Sequence, residues 1–278
     1  MVGSTFGRNG RRQSSVMKLE DLAVVILAGG YGTRLSEETL VRPKPMIEIG
    51  GQPVLWHLMK FYAHFGLRRF IILLGYKGIQ IKQYFATYLL HQCDVTIDLA
   101  TGAMAYHNSQ PDNWQVTLLE TGEDTMTGGR LKRAARHLAS EQAFCLTYGD
   151  GLSDIDLRAL YDYHRQHGRL ATMTTVRAPA RWGHVVVDGT NVTAFQEKPT
   201  GEGSVINGGF FILSPRVLDL IDGDDTAWER EPLEKLVAQG QLAAYRHGGF
   251  WQAMDTLREK NMLEALWQSG KAPWKIWS

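Results

Sequence analysis

Residues able to handle phosphate gather near the start of the chain, in LAVVILAGGYGTRLSEETLVRPK over Leu22–Lys44. Leu22–Leu27 is apolar and β-branched, then stops at Ala28-Gly29-Gly30; Tyr31, Gly32, Thr33 and Arg34 follow, and Lys44 stands between Pro43 and Pro45. Glycines at the end of a strand let backbone N–H groups approach a ligand and form a nest for anions. Arg34 and Lys44 supply positive charge beside that nest. Strand, glycine turn and cations together meet the needs of a nucleoside triphosphate. The dinucleotide fingerprint G-x-G-x-x-G fails, because its third glycine would fall at Leu35, which disfavours a nicotinamide-dependent dehydrogenase. A P-loop fails as well, since Thr33 is followed by Arg34 rather than by a helix-opening Lys-Ser/Thr. Two plainer readings stay open here: a structural strand-to-loop turn, and surface ion-pair roles for Arg34 and Lys44.

A second carboxyl-end cluster is Tyr148-Gly149-Asp150-Gly151, which follows the apolar run Ala143–Thr147. A carboxylate there lies where open α/β sheets bind ligands, although a simple turn aspartate has the same pattern. The Gly/Thr-rich loop Thr121–Arg130, containing Thr125, Gly129 and Arg130, is a further candidate wall.

These positions need strands and helices to hold them. Leu22–Leu27 is continuously apolar, as in a parallel strand buried on both faces. Pro53–Phe65 has helical spacing with proline at its first turn and Gly66 at its end. Arg69–Leu74 predicts a second buried strand and Gly78–Leu90 a second helix, a βαβα order that builds a parallel sheet with right-handed crossovers. Alternation over Val95–Leu99, then Ala103–His107 after a Thr101-Gly102 turn, predicts an antiparallel hairpin inserted at the sheet edge. Gln115–Leu119, Ala143–Thr147, Ala171–Val176, His184–Val187, Val192–Phe195, Ile206–Leu213 and Leu242–Tyr245 read as strands. Leu131–Leu138, Asp156–His167, Pro215–Ile221 and Leu233–Ala238 read as helices. A terminal helix, Thr256–Trp267, takes Asp255 or Thr256 as its cap. The fold class is therefore α/β: a Rossmann-like mixed, mostly parallel sheet flanked by helices. An aromatic tail (Trp267, Trp274, Trp277) is expected to pack on the body or on a partner subunit.

Length and composition narrow the function classes. The 278 residues suffice for one large α/β domain, and 44% hydrophobic content supports an extensive core. A net charge of +1 argues against a nucleic-acid binder driven by bulk charge. Cys93 and Cys145 make neither a disulfide framework nor a zinc site and suit a reducing cytosol. No stretch approaches the roughly 18 consecutive apolar residues of a membrane span. The opening MVGSTFGRNGRRQSSV is polar and acid-free, without the apolar stretch of a secretory signal. Residues 1–20 are expected to be a disordered extension, and 21–278 a single domain with a nucleotide-binding part (about 21–150) and a sugar-binding part (about 151–278).

Five segments occur in one order: LAGGYGTRLSEETLVRPKPM, TGEDTMTGGRL, TYGDG, FQEKP, and INGGFF with FWQAMDT. Together they resemble the sugar-nucleotide pyrophosphorylases, and more closely the glucose-1-phosphate cytidylyltransferases, over essentially Leu22 to Ser278. The glycine loop and EKP belong to the whole superfamily. SEET, TYGDG and FWQAMDTLREK point to the cytidylyl branch. The resemblance implies CTP and glucose 1-phosphate as substrates, CDP-glucose and pyrophosphate as products, a smaller C-terminal sugar-binding part, a cytoplasmic enzyme of polysaccharide biosynthesis, and a homo-oligomer, a hexamer included. Related thymidylyl-, uridylyl- and guanylyltransferases are the rival enzymes, and a catalytically silent nucleotide-sugar-binding subunit is the rival from another class.

The same resemblance assigns roles. Asp150 and Asp255 would hold Mg²⁺, with helix capping as the plainer role for Asp255. Arg34, Lys44 and Asp150 form the catalytic set, with Arg34 facing the leaving pyrophosphate and Lys44 near the α-phosphate or sugar phosphate. Leu27, Ala28, Gly29, Gly30, Tyr31, Gly32, Thr33, Arg34, Lys44, Thr125, Gly129, Arg130 and Gly149 bind the nucleotide, with the base read by Leu27–Gly30 and Thr125–Arg130. Lys198 clamps the sugar phosphate, Glu197, Asn207 and Gly209 meet the sugar, and Trp251 either walls that pocket or packs in the core. The sugar phosphate is already ionised at neutral pH, so the reaction needs positioning and charge stabilisation rather than a general base.

Overall fold

The computed structural model describes residues 17–32, 35–108, 110–177, 184–188, 191–196 and 205–277, with only the backbone described at 36–37, 184–188 and 191–196. The chain opens with β1 (Ala23–Leu27), the short helix α1 (Ser36–Thr39), the paired stubs β2 (Glu48–Ile49) and β3 (Gln52–Pro53), α2 (Val54–His64), β4 (Arg69–Leu74) and α3 (Gly78–Ala86). It continues through β5 (Asp94–Ile97), β6 (Met104–His107), β7 (Gln115–Glu120), α4 (Thr127–Arg133), α5 (Ala135–Leu138), β8 (Phe144–Tyr148), β9 (Gly151–Ser153) and α6 (Leu157–His167). The remainder is β10 (Ala171–Arg177), β11 (His184–Asp188), β12 (Asn191–Gln196), β13 (Val205–Leu213), α7 (Glu231–Ala238), β14 (Leu242–Arg246), β15 (Trp251–Ala253) and α8 (Leu257–Gln268).

Seven strands form the central sheet in the order β14-β10-β13-β8-β1-β4-β7. All neighbours run parallel except β13, which is antiparallel to both β8 and β10. The sheet is mixed and mostly parallel, as expected for α/β. β1 shows why its sequence is apolar throughout. Val24 and Ile26 enter the core on one face, while Ala23, Val25 and Leu27 enter the core on the other. A strand covered on both faces has no polar side.

Several elements differ from expectation. The hairpin β5–β6 forms, but as a two-stranded sheet of its own rather than as an extension of the central one. The helix expected from Leu131 begins at Thr127 and is broken between α4 and α5. Gly128 and Gly129, which read as loop formers, lie inside α4, where the segment Asp224–Trp228 presses against them. Gly78–Leu90 divides into α3 and a 3₁₀ turn at Tyr88–His91, and Pro215–Leu220 is 3₁₀ rather than α. The pairs β2–β3 and β9–β15 are too short to show a period in sequence.

The aromatic tail packs on the body. Trp274 is fully buried and stacks on Phe250, with ring centroids 5.5 Å apart. Its Nε1 donates to His57 Nδ1 at 3.4 Å, while His57 Nε2 contacts the Ile49 carbonyl at 2.8 Å. Trp267 meets the His57 ring edge-on at 4.6 Å. Burial pushes the His57 pKa down to about 4, so the ring is neutral near pH 7. Replacing Trp274 by alanine empties this seam and should lower unfolding stability by about 3–5 kcal/mol, measured by urea denaturation. An unchanged midpoint would contradict the docked tail.

Candidate active site

β1 lies between β4 and β8, and the chain runs outward to β4 and β7 before returning to β8 on the other side. That reversal opens a crevice outside the carboxyl ends of β1 and β8, the place where open α/β sheets take ligands. A cavity of about 410 Å³ occupies it. Its walls include Leu27–Gly32 after β1, Thr125 and Arg130 from the second glycine-rich loop, Gly149 and Asp150 after β8, and Lys44 and Asp255. Thr33 and Arg34 lie outside the described residues, as do Glu197 and Lys198. Gly129 stands apart from the cavity: its Cα faces the Asp224 backbone.

The residues bearing charge meet at Lys44. Its Nζ donates to Asp255 Oδ1 at 2.7 Å and to Asp150 Oδ2. Two carboxylates far apart in sequence reach one ammonium because β9 pairs antiparallel with β15, setting Gly151 opposite Ala253. The Met254 N–H also donates to the Asp150 carbonyl at 2.9 Å. Pro43 and Pro45 bracket Lys44 in a 3₁₀ turn that fixes its approach. Burial opposes the Lys44 charge, but the Asp150 and Asp255 carboxylates outweigh it and hold the pKa above the ordinary lysine value. Lys44 is therefore cationic throughout the neutral range.

Capping of α8 is settled in favour of Thr256. Its Oγ1 accepts from the Glu259 N–H at 3.3 Å, and Glu259 Oε2 returns to the Thr256 and Asp255 N–H groups at 2.9 and 2.7 Å. That capping box leaves the Asp255 carboxylate directed at Lys44. Among the described residues no cluster of three or more His, Cys, Asp or Glu is placed to hold a metal. Mg²⁺ is ordinarily held by one or two carboxylates, with water and substrate phosphate completing its shell. Two carboxylates already converging on one cation at the cavity wall fit that habit.

Arg130 reaches under the glycine loop. Its guanidinium donates to the carbonyls of Leu74, Gly122, Gly29 and Glu123 at 2.6–3.0 Å and to Thr121 Oγ1 at 2.7 Å. It is 4% exposed, and burial lowers its pKa without removing its charge. Any side chain at Gly29 would collide with it, since a Cβ there would sit 2.4 Å from Arg130 Nη1. The first glycine thus serves close approach by an arginine from below. The Leu27 carbonyl is also taken, by the Gly149 N–H at 2.9 Å. At the rim, Tyr31 donates to Asp124 Oδ1 at 2.7 Å.

A smaller adjoining cavity of about 40 Å³ holds Asn207, Gly209 and Trp251 and shares Tyr148 and Asp150 with the larger one. Asn207 Oδ1 accepts from the Gly209 N–H at 2.8 Å, and Trp251 Nε1 donates to the Gly208 carbonyl at 2.6 Å. Gly209 has φ +77°, and a Cβ there would enter the Tyr148 ring at 2.5 Å. Trp251 thus borders the cavity while its indole N–H is engaged by backbone. Tyr148 borders both cavities and donates to Glu229 Oε1 at 2.7 Å; sequence reasoning assigned neither residue. Tyr148 lies within the TYGDG motif, so it was within reach; nothing around Glu229 signals its placement.

A sequence model of the nucleotidyl transferase family matches residues 23–256, and the chain belongs to that family. Within it, the chain is 56% identical over 256 residues to the glucose-1-phosphate cytidylyltransferase of Salmonella typhi, spanning 92% of this chain and 100% of that protein. It is 46% identical over 259 residues to the probable glucose-1-phosphate cytidylyltransferase of Bacillus subtilis, again over 92% of this chain and 100% of the other. Among solved structures, HddC from Yersinia pseudotuberculosis complexed with GMP-PN superposes with a TM-score of 0.66 at 24% identity, covering 88% of this chain and 99% of that one. That likeness supports the fold.

Arg130→Met should destabilise the protein by about 3 kcal/mol or more, because it strands buried carbonyls, as measured by chemical denaturation. A variant with wild-type stability would show that the guanidinium is not needed to hold the loop.

Proposed function

We propose that the protein transfers the cytidylyl group of CTP to α-D-glucose 1-phosphate, giving CDP-glucose and pyrophosphate. The end-to-end identity with glucose-1-phosphate cytidylyltransferases supports the choice of base and sugar. The observation that carries the chemistry is the Lys44 ammonium lodged between Asp150 and Asp255 on the wall of the nucleotide cavity.

A phosphate oxygen of glucose 1-phosphate forms the new bond to the α-phosphorus of CTP, the α–β bridging bond breaks, and its electron pair leaves with pyrophosphate. The obstacle is repulsion between anions, so catalysis consists of placing cations and aligning the reactants. Lys44 offers its charge to the phosphates from a position that the two aspartates fix. Arg34, ten residues earlier and directly after the glycine loop, is assigned to the leaving pyrophosphate. Lys198, between Glu197 and Pro199, is assigned to the sugar phosphate, with Glu197, Asn207 and Gly209 at the sugar hydroxyls and Trp251 as a wall. Asp150 and Asp255 would hold Mg²⁺, which when bound offsets charge on the phosphate oxygens. Cytosine presents an N4 donor where uracil presents an acceptor, so one backbone carbonyl in the loops Leu27–Gly30 or Thr125–Arg130 suffices to separate them.

The nucleotide-binding part is assigned to about 21–150 and the sugar-binding part to about 151–278. Self-association is part of the same reading. The hairpin β5–β6 and its turn expose Ile97, Leu99, Met104 and Tyr106, an apolar patch suited to a second copy. Among the described residues no helix is long and apolar enough to cross a membrane, and the two free cysteines suit the cytoplasm.

The test is pyrophosphate release with glucose 1-phosphate and Mg²⁺, with CTP, UTP, dTTP, ATP and GTP compared in parallel. CTP should be preferred, chelation should abolish turnover, and Asp255→Asn should lose about a hundredfold or more in rate. Preference for another nucleotide would overturn the base assignment. No turnover with any of them would favour a binding role.

A further inference from the structure

Glu229 is exposed and lines neither of the two cavities. Its Oε2 accepts from Thr127 Oγ1 at 2.6 Å, and its Oε1 accepts from Tyr148 Oη at 2.7 Å. Thr127 belongs to the nucleotide cavity, at the first turn of α4, and Tyr148 borders both cavities at the end of β8. The tyrosine oxygen in turn receives Asn207 Nδ2 at 3.4 Å. The segment carrying Glu229 is itself fixed against the second glycine-rich loop. The Met126 N–H donates to the Asp224 carbonyl at 2.8 Å, and the Trp228 N–H donates to Thr127 Oγ1 at 2.9 Å. The Tyr148 ring cannot shift toward β13 either, because it fills the space left by the missing side chain of Gly209.

We propose that Glu229 is a positioning residue that ties the base-side wall at Thr127 to the strand end bearing Tyr148 and Asp150, so that both substrates are bound in mutual register. The inference rests on the cytidylyl-transfer reading for its substrates and on geometry for its mechanism. A carboxylate accepting from two hydroxyls on different elements, α4 and β8, fixes their separation.

The experiment measures KM for CTP and for glucose 1-phosphate, together with kcat, for wild type, Glu229→Ala, Glu229→Gln, Tyr148→Phe and the Glu229→Ala/Tyr148→Phe pair. The wild-type control tests the substrate reading separately; if it turns over another pair, that pair is used. Glu229→Ala should raise both KM values about tenfold, the loss of one charge-assisted tie, with kcat within about threefold. Glu229→Gln should restore both to within about twofold, since a carboxamide can accept from one hydroxyl and donate to the other. Tyr148→Phe should raise the same two constants, and the double variant should be no worse than the worse single one, because both changes cut one link. Thermal melting checks that each variant is folded, and if Glu229→Ala fails to fold, the Gln and Phe variants carry the comparison. Wild-type KM values in the folded Glu229→Ala or Tyr148→Phe variants, additive losses in the pair, or a Gln variant as impaired as Ala would each overturn the proposal.

Discussion

The site depends on one electrostatic arrangement, a lysine ammonium held between two carboxylates at the mouth of a parallel sheet. Two aspartates at close quarters would repel each other, and a lone lysine with little exposure would lose its charge to desolvation. Together, the two carboxylates keep the lysine charged against its burial. The arrangement carries one net negative charge, which suits it both to a cation and to phosphates already accompanied by one. It requires β8 and β9 to deliver Asp150, β15 to deliver Asp255, and a rigid Pro-Lys-Pro turn to deliver Lys44.

Support for this arrangement is layered. The sheet fixes where the strands end, and its two-faced apolar core makes those ends immobile relative to each other. Arg130 then holds the glycine loop from beneath by collecting carbonyls from β4, the first glycine loop and the second. Buried guanidinium hydrogen bonds of this kind are costly to break because every partner is left unsatisfied. The aromatic tail packs on the body by seating Trp274 against the neutral ring of His57.

Much of this was legible in the sequence where the signal is local. Leu22–Leu27 shows burial on both faces because no polar residue interrupts it, and the glycines that follow it mark the loop that lines the cavity. The resemblance to the nucleotidyltransferases agrees with the family to which the chain belongs. Relations depending on long-range pairing were hidden. Nothing near Asp255 states that β15 will pair with β9, and nothing near Glu229 states that it will reach Thr127 and Tyr148. Arg130 lines the cavity, and its side chain also runs inward to carbonyls that only the folded sheet brings together, a second role its sequence position does not signal. Gly128 and Gly129 read as loop formers although they lie in a helix, because the need for a missing side chain came from Asp224–Trp228, a segment about a hundred residues away.

In the proposed reaction, Asp150 and Asp255 make CTP binding depend on a divalent cation while Lys44 keeps the cavity open to phosphate. Calorimetric titration of CTP into the wild type and into the Asp150→Asn/Asp255→Asn variant, with and without Mg²⁺, tests it directly. Mg²⁺ should tighten CTP binding to the wild type by about tenfold or more and leave the variant nearly unchanged, with the variant binding metal-free CTP at least as well as the wild type. An equal gain from Mg²⁺ in both proteins would contradict it.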